Sequence, residues 1–250
     1  MHRLLTATED LATDSPVLAP EAERHLKVLR PRDGEELELF DGCGSFRRFR
    51  VLIDGRRWRL EPVSPVVSLP PPPSTITLFA CVTKGSRWDW TVEKATELGA
   101  TRIVPVISAR TIVRLDPAEC EAKRERWRRV AEDAARQSDA KFVPEVLAPV
   151  SFADSLPLVR ETCCFVGALA VPPPEPIGDA LAARLGSGVG DYAVYVGPEG
   201  DFAPDELAAL TAIAVPVSFG TTVLRAETAA IFALAALKTF LDRARGASPA

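Results

Sequence analysis

The sequence predicts a small β-barrel or sandwich, followed by a larger α/β domain with a mostly parallel sheet. Before position 70, short alternating apolar and polar runs are separated by glycine turns, as in antiparallel β domains. After position 74, strand-like and helix-like runs alternate, which favours a parallel sheet. Between them, Pro70 to Pro73 form a run that neither a helix nor a central strand accommodates. This stiff linker, residues 70–74, therefore marks the boundary.

The first domain, residues 1–69, is predicted to contain three strands. They run from Glu36 to Phe40, from Arg47 to Ile53 and from Trp58 to Val63. The sequence DGCG at 41–44 and the pair DG at 54–55 separate them, and both are typical of hairpin turns.

The second domain, residues 75–245, is predicted to contain five strands and several helices, and residues 246–250 form a flexible tail. The strands are Ile76–Val82, Ile103–Ile107, Cys163–Ala170, Tyr192–Val196 and Pro216–Phe219. One helix runs from Trp88 to Leu98 and ends at Gly99, a typical C-terminal glycine. A second runs from Asp116 to Gln137 and begins with an N-cap acid, a first-turn proline and a capping-box glutamate.

Composition excludes several classes of protein. The 250 residues are 47% hydrophobic, and the net charge of −4 gives no global sign of nucleic-acid binding, so an RNA site must be a local patch. No signal peptide is apparent, and Lys238 interrupts the apolar run near the C-terminus, so a cytoplasmic protein is expected. The five cysteines form no CxxC pair and only two histidines occur, so we expect neither disulfides nor a metal site.

Two glycine turns follow the last two predicted strands. Gly197-Pro198-Glu199-Gly200 ends one, and Phe219-Gly220 ends the other. Small molecules bind beyond the carboxyl ends of strands in α/β sheets, and glycine lets the backbone approach them. The alternative is an ordinary strand-to-helix turn. Arg225 and Glu227 lie at the start of the final helix, where they either grip a substrate or simply form a charged helix entry.

Four segments resemble the RsmE-type methyltransferases of the SPOUT superfamily, which methylate N3 of one uridine in 16S ribosomal RNA. These segments are HLKVLRPRDGEELELFDGCG (25–44), KGSRWDWTVEKATELGATRIVPVIS (84–108), GPEGDF (197–202) and LRAETAA (224–230). The resemblance implies a PUA-like RNA-binding barrel, then a trefoil-knotted SPOUT domain. It also implies a homodimer that binds S-adenosylmethionine and acts on the small ribosomal subunit in ribosome biogenesis.

The resemblance also implies which residues form the site. The cofactor-binding residues are then Leu169, Gly197, Pro198, Glu199, Gly200, Phe219, Gly220, Val223, Leu224 and Arg225. Three departures from the family pattern stand out: Asp201 replaces a usual glycine, Thr221-Thr222 replaces Pro-Arg, and Asp139-Ala140-Lys141 replaces an arginine-bearing segment.

Methylation at N3 requires loss of the weakly acidic uridine proton. Arg225 suits stabilisation of the developing charge, because guanidinium donors fit planar oxygens. Glu227 or Glu199 suits the role of general base, and the sequence does not choose between them. A capping role for Glu227 is an open alternative. No metal is required, because the cofactor carries the reactive methyl.

Cations for RNA binding concentrate in the first domain. Six arginines lie between positions 47 and 59, with Asp54 as the one acidic residue among them. The predicted RNA-binding residues are Arg24, Lys27, Arg30, Arg47, Arg48, Arg50 and Lys141. The alternative is a solvated barrel face, because residues 1–69 hold 11 basic and 12 acidic side chains.

Two other functions remain open. One is a SPOUT methyltransferase that acts on transfer RNA or another base. The other is a catalytically silent RNA-binding protein, which Asp201 and Thr221-Thr222 favour. The apolar helix from Thr228 to Leu241 is predicted to lie at a homodimer interface.

Overall fold

A computed structural model describes residues 1–55, 57–159, 163–170, 172–184, 190–244 and 246. The chain divides into two compact units. The first contains Met1–Pro71 and Glu132–Val143, and the second contains Pro72–Ala131 and Pro144–Ala250. The first unit is therefore not one continuous stretch of sequence, since a later segment of 12 residues belongs to it. Of the predicted tail, all but Gly246 lies outside the described residues.

The first unit is built on a five-stranded sheet in the order β1-β2-β3-β4, with β5 paired to β3. Its elements are β1 (His2–Leu5), α1 (Thr8–Leu11), α2 (Pro20–Leu29), β2 (Glu36–Phe40), β3 (Ser45–Asp54), β4 (Arg57–Pro62) and β5 (Val67–Ser68). The three predicted strands are confirmed as β2, β3 and β4. The sequence did not predict β1, which pairs parallel to β2, or the helices α1 and α2.

Alternation along these strands buries one face of the sheet. Leu37 and Leu39 of β2, Phe49 and Val51 of β3, and Leu60 of β4 pack into one apolar cluster. Leu26 of α2 joins it, so this helix covers the apolar face. Burial of that face fixes the strand register, because a slip by one residue would expose every one of these side chains.

The second unit holds a seven-stranded sheet in which every strand pair is parallel. Its strands are β6 (Ser74–Cys81), β7 (Arg102–Ile107), β8 (Glu145–Val146), β9 (Val150–Ser151), β10 (Cys163–Gly167), β11 (Gly190–Val196) and β12 (Val215–Val217). The order is β12-β10-β11-β6-β7-β8, with β9 paired to β7. The prediction of an α/β domain with a mostly parallel sheet is confirmed.

Helices separate these strands. They are α3 (Ser86–Glu97), α4 (Pro117–Gln137), α5 (Phe152–Ser155), a short 3-10 helix (Leu156–Leu158), α6 (Ile177–Arg184), α7 (Pro204–Thr211) and α8 (Ala226–Ala244). The capping box of α4 is confirmed, since the amide of Glu119 donates to Asp116 Oδ1 over 2.8 Å and the amide of Asp116 donates to Glu119 Oε2 over 2.9 Å. Among the described residues, no helix combines the length and apolarity that crossing a bilayer requires.

The final helix is buried by its own unit. It packs on α3, α6, β6 and β11, and Ala230, Ala233, Leu234 and Leu237 are fully buried there. The apolar character of α8 therefore has an explanation within one chain, and it does not by itself indicate a dimer interface. Phe232 is an exception, because 43% of it is exposed.

Two predicted strands end at least two residues earlier than expected, and both differences shape the site. β10 stops at Gly167 and β12 stops at Val217. Beyond β12 the chain turns, because the hydroxyl of Ser218 accepts a hydrogen bond from the amide of Gly220 over 3.2 Å. The residues expected to continue these strands instead form loops at the carboxyl edge of the sheet.

Candidate functional site

The candidate site is a cleft at the carboxyl edge of the second sheet. β10, β11 and β12 end side by side, because β10 pairs with both of the others in parallel. The loops that follow them converge at this edge, where ligands bind in sheets of this kind. The cleft encloses about 560 Å³, including the part open to solvent.

Half of the residues that line the cleft were predicted to bind the cofactor. Eight of the ten predicted cofactor-binding residues line it: Leu169, Gly197, Pro198, Glu199, Phe219, Gly220, Val223 and Leu224. The other lining residues were not predicted to bind the cofactor, and they are Gly167, Ala168, Val196, Asp201, Ser218, Thr222, Ala226 and Ala229. Leu169 and Val223 are 59% and 73% exposed, so the cleft presents apolar surface to solvent.

Two glycines shape the wall after β10 and β12. A Cβ on Gly167 would lie 2.4 Å from the ring of Phe219, so only glycine lets that ring pack against the strand end. Gly220 has a φ of 116°, which side chains rarely adopt, and a Cβ there would meet no atom within 4 Å. A side chain at Gly220 would therefore be strained and would project into open space at the cleft.

The loop after β11 is held to two neighbouring loops. Arg110 Nη1 donates to the carbonyl of Gly200 over 2.6 Å. Asp201 adopts a left-handed conformation with φ of 60°, which aspartate tolerates better than most residues. Its Oδ2 accepts a hydrogen bond from the amide of Leu169 over 3.0 Å, and its Oδ1 accepts one from the amide of Phe202 over 2.8 Å. Asp201 therefore joins the loop after β11 to the loop after β10 and still lines the cleft.

An arginine that sequence reasoning missed lies between the two candidate bases. Arg87 Nη1, from the first turn of α3, donates to Glu199 Oε1 over 3.0 Å and lies 3.9 Å from Glu227 Oε1. The Glu227 side chain is only 11% exposed, and its Oε2 has no hydrogen-bond partner among the described residues. Glu199 lines the cleft, whereas Glu227 does not.

The structure does not bring every predicted site residue into the cleft. Gly200 and Arg225 are absent from its lining. Arg225 is exposed just before α8, and its carbonyl accepts a hydrogen bond from the amide of Ala229 over 2.8 Å. Arg225 therefore lies at the mouth of the site rather than in its wall.

The buried cysteine near this edge is not a nucleophile. Burial raises the pKa of the Cys81 thiol from 9.0 to about 11. The nearby hydroxyls of Ser108 and Thr111 lower this pKa, but desolvation outweighs them. Cys81 therefore stays protonated near neutral pH and serves as a small apolar core residue.

Two predicted RNA-binding residues serve the fold of the first unit instead. Arg47 is only 13% exposed, and its guanidinium donates to the carbonyls of Leu11, Thr13 and Ser64. Lys141 is 16% exposed, and its ammonium donates to Glu38 over 2.6 Å. Their donors are already occupied within the unit, so neither presents a free cation to a phosphate.

The other predicted RNA-binding residues remain accessible. Arg24, Arg30 and Arg48 are exposed. Lys27 pairs with Glu23 over 2.7 Å, and Arg50 pairs with Glu36 over 3.4 Å, both at exposed positions where such pairs are weak. Arg56 of the arginine cluster lies outside the described residues.

Comparison with known proteins points to one family. The RNA methyltransferase domain family matches residues 70–238. The ribosomal RNA small subunit methyltransferase E of Mycobacterium bovis is 39% identical over 220 residues, which cover 86% of this chain and 82% of that protein. The protein of the same name from Synechocystis is 31% identical over 256 residues and covers 96% of this chain and 78% of its own.

Two solved structures are similar to this chain over nearly its whole length. A methyltransferase from Legionella pneumophila, in complex with the bound cofactor SAM, is 27% identical with a TM-score of 0.84 and covers 96% of this chain and 97% of its own. The ribosomal RNA small subunit methyltransferase E of Neisseria gonorrhoeae, bound to S-adenosyl methionine, is 29% identical with a TM-score of 0.80 and the same two coverages.

Proposed function

The chain belongs to the RsmE-type ribosomal RNA methyltransferases, and from that membership we propose that it transfers a methyl group from S-adenosylmethionine to N3 of a uridine in 16S rRNA. The observation that carries this proposal is the cleft at the carboxyl ends of three parallel strands, walled by glycine-bearing loops. The protein acts on the small ribosomal subunit in the cytoplasm, where this RNA is matured.

The cleft fits such a cofactor in its chemistry. The exposed side chains of Leu169 and Val223 suit the flat face of an adenine. The carboxylate of Asp201 lines the same cleft and suits the positive charge of the cofactor. When bound, S-adenosylmethionine supplies the electrophilic methyl group.

Glu199 is the group that accepts the uridine N3 proton. It lines the cleft, whereas Glu227 lies away from it. Arg87 holds the Glu199 carboxylate through Oε1, so Oε2 is the oxygen assigned to the substrate proton. The N3–H bond breaks with the proton passing to this carboxylate, and the nitrogen electron pair forms the new bond to the methyl carbon. The bond from that carbon to sulfur would break at the same time, and its electron pair would stay on sulfur in the demethylated leaving group.

Glu227 acts as a positioning residue through Arg87. Its Oε1 lies 3.9 Å from the Arg87 guanidinium, and it is nearly buried in the first turn of α8. A carboxylate there is stabilised by the helix dipole and keeps the arginine directed at Glu199. Arg225, exposed at the mouth, stabilises the charge that develops on the uracil carbonyl oxygens.

The finer architecture is part of the same proposal. We assign residues 1–69 to a PUA-like RNA-binding barrel and 75–245 to a knotted SPOUT domain. Support for the knot comes from the sheet order, because the chain leaves β12 at the sheet edge and returns as α8 against the central strands β6 and β11. A homodimer is supported by exposed apolar side chains of the second unit, among them Trp90 and Phe232.

Calorimetric titration with S-adenosylmethionine, followed by single-turnover methylation of small ribosomal subunits, tests the function. We expect the wild type to bind the cofactor, and Glu199→Gln to bind it while losing methyl transfer on the order of a hundredfold. An unperturbed rate in Glu199→Gln would remove this residue as the base. Binding of RNA without any cofactor binding would instead favour the catalytically silent protein.

A further inference from the structure

A second concave surface lies in the first unit, along the free edge of its sheet. β4 is the last strand in the order and pairs only with β3 among the described strands. A groove runs beside it, with residues 15–18 and one face of α2 forming the opposite wall. It encloses about 1060 Å³, including the part open to solvent, nearly twice the space of the cleft.

Apolar side chains form the floor of the groove. Leu26 and Leu60 belong to the core cluster of the unit, and Leu18 and Trp58 pack partly against that cluster. Val17, on the opposite wall, is 84% exposed. The indole of Trp58 is thus supported from behind by the core and contributes its remaining surface to the groove.

Cations surround this apolar floor. Arg57, Arg59 and Lys27 line the groove, and Glu23 is the one carboxylate among its lining residues. Arg57 and Arg59 are exposed and, two positions apart on β4, project from the same face of the strand. Trp58 lies between them and projects from the other face, so the groove follows the free edge of β4 and is lined from both faces. Neither arginine has an ion pair or side-chain hydrogen bond among the described residues, in contrast to the occupied guanidinium of Arg47.

An aromatic side chain bordered by cations along a free strand edge is the pattern that binds single-stranded nucleic acid. Every base has a flat face that can stack on an indole, and the cations take the phosphates. A base pair in a duplex hides both of its faces in the stack, so Trp58 can contact only an unpaired base. A peptide laid along β4 would need to be acidic to match the same charges.

We propose that this groove holds an unpaired stretch of the RNA substrate, with one base against Trp58 and the flanking phosphates on Arg57, Arg59 and Lys27. The inference rests on the proposed function, since it takes the RNA to be the substrate of the methyltransferase. It assigns RNA binding to the β4 edge rather than to the outer residues of β3.

Binding of a fluorescently labelled oligouridine, and of a duplex RNA of the same length, tests this at several salt concentrations. We expect oligouridine to bind more tightly than the duplex. Trp58→Ala should weaken oligouridine binding by roughly five- to a hundredfold, the range found for loss of one stacked base. The double variant Arg57→Ala/Arg59→Ala should weaken binding and lower the slope of log affinity against log salt by about 0.7 for each lost phosphate contact.

Two matched controls sharpen the result. Arg48→Ala removes an exposed arginine of the adjacent strand that does not line the groove, and it should have little effect. Intrinsic tryptophan fluorescence should change on oligouridine binding in the wild type and in Trp90→Phe, but not in Trp58→Phe. Trp58→Ala removes a side chain that packs on the core, and this variant can therefore fail to fold. The double variant Arg57→Ala/Arg59→Ala changes only exposed positions, so it tests the groove even in that case.

Three results would contradict RNA binding in this groove. The first is wild-type affinity for oligouridine in the double variant, and the second is a loss of affinity in Arg48→Ala as large as in the double variant. The third is tighter binding of an acidic peptide than of oligouridine. Cofactor titration of the same variants separates this inference from the function. If the wild type methylates small subunits while the groove variants bind RNA normally, only the groove is wrong. If the wild type binds no cofactor, the proposed methyltransferase function is wrong. The oligouridine measurements then still show whether the groove binds unpaired RNA.

Discussion

Replacing Asp201 tests whether the cleft is held open by contacts between its loops. The Asp201 carboxylate accepts hydrogen bonds from the amides of Leu169 and Phe202 over 3.0 Å and 2.8 Å. Hydrogen bonds to a charged acceptor contribute about 1.5–3 kcal/mol and neutral ones about 0.5–1.5 kcal/mol. Because the bond to Leu169 is exposed, the lower end of each range applies.

Asparagine at position 201 keeps one acceptor oxygen and tolerates the left-handed backbone. Asp201→Asn should therefore weaken the free energy that favours the bridged loops by about 1 kcal/mol. If only the bridged loops bind the cofactor, its affinity falls roughly fivefold. Asp201→Gly removes both acceptors without backbone strain, so it should cost about 2 kcal/mol and roughly thirtyfold in affinity.

The assay is calorimetric titration with S-adenosylmethionine, with thermal melts to show that each variant is folded. Asp205→Asn is the matched control, because Asp205 is exposed in the first turn of α7 and does not line the cleft. An Asp201→Gly protein that binds the cofactor as tightly as the wild type would refute the bridging role.

Four further predictions concern other parts of the second unit. Glu227→Gln should lower the single-turnover methylation rate about tenfold, with cofactor affinity unchanged and the pH profile shifted, because Arg87 is no longer held. Gly167→Ala should lower the unfolding free energy by about 1–3 kcal/mol in denaturant melts, because the new Cβ meets the Phe219 ring at 2.4 Å. Burial raises the pKa of the Cys81 thiol to about 11. The unfolding free energy should therefore fall by roughly 3 kcal/mol as the pH rises from about 9 to about 11, because the unfolded chain loses this proton first. Denaturant melts of Cys81→Ala should lack this pH dependence. Phe232→Glu should convert a dimer to a monomer in light scattering, and a wild-type monomer would contradict the homodimer.

Local patterns predicted the framework of the site well. The glycine turns after β11 and β12 and the start of α7 at Pro204 follow from short-range rules of backbone conformation and capping. The sequence did not predict that position 167 must be glycine, because the ring that a Cβ would meet belongs to Phe219, which is distant in sequence. Arg87 was not predicted for the same reason. Its contacts to Glu199 and Glu227 form only when α3, the loop after β11 and α8 come together in the fold.

Predictions of surface charge were less accurate, because charge clusters do not reveal burial. Arg47 and Arg48 are neighbours in sequence, yet alternation along β3 leaves Arg48 exposed and directs Arg47 to three backbone carbonyls. Lys141 is separated from Glu38 by 103 positions of sequence, and only the fold shows that they pair. The helix α2 was missed in a region dominated by strand patterns.

The most direct test is to incubate the protein with small ribosomal subunits and S-adenosylmethionine labelled in its methyl group, and to identify the labelled nucleoside by mass spectrometry. Subunits should come from a strain that lacks the corresponding methyltransferase, so that the target is unmodified. We expect the label in N3-methyluridine from 16S rRNA, in one position of the sequence, and its loss with Glu199→Gln. Label in transfer RNA, in another modified nucleoside, or in no RNA at all would contradict the function proposed for the cleft.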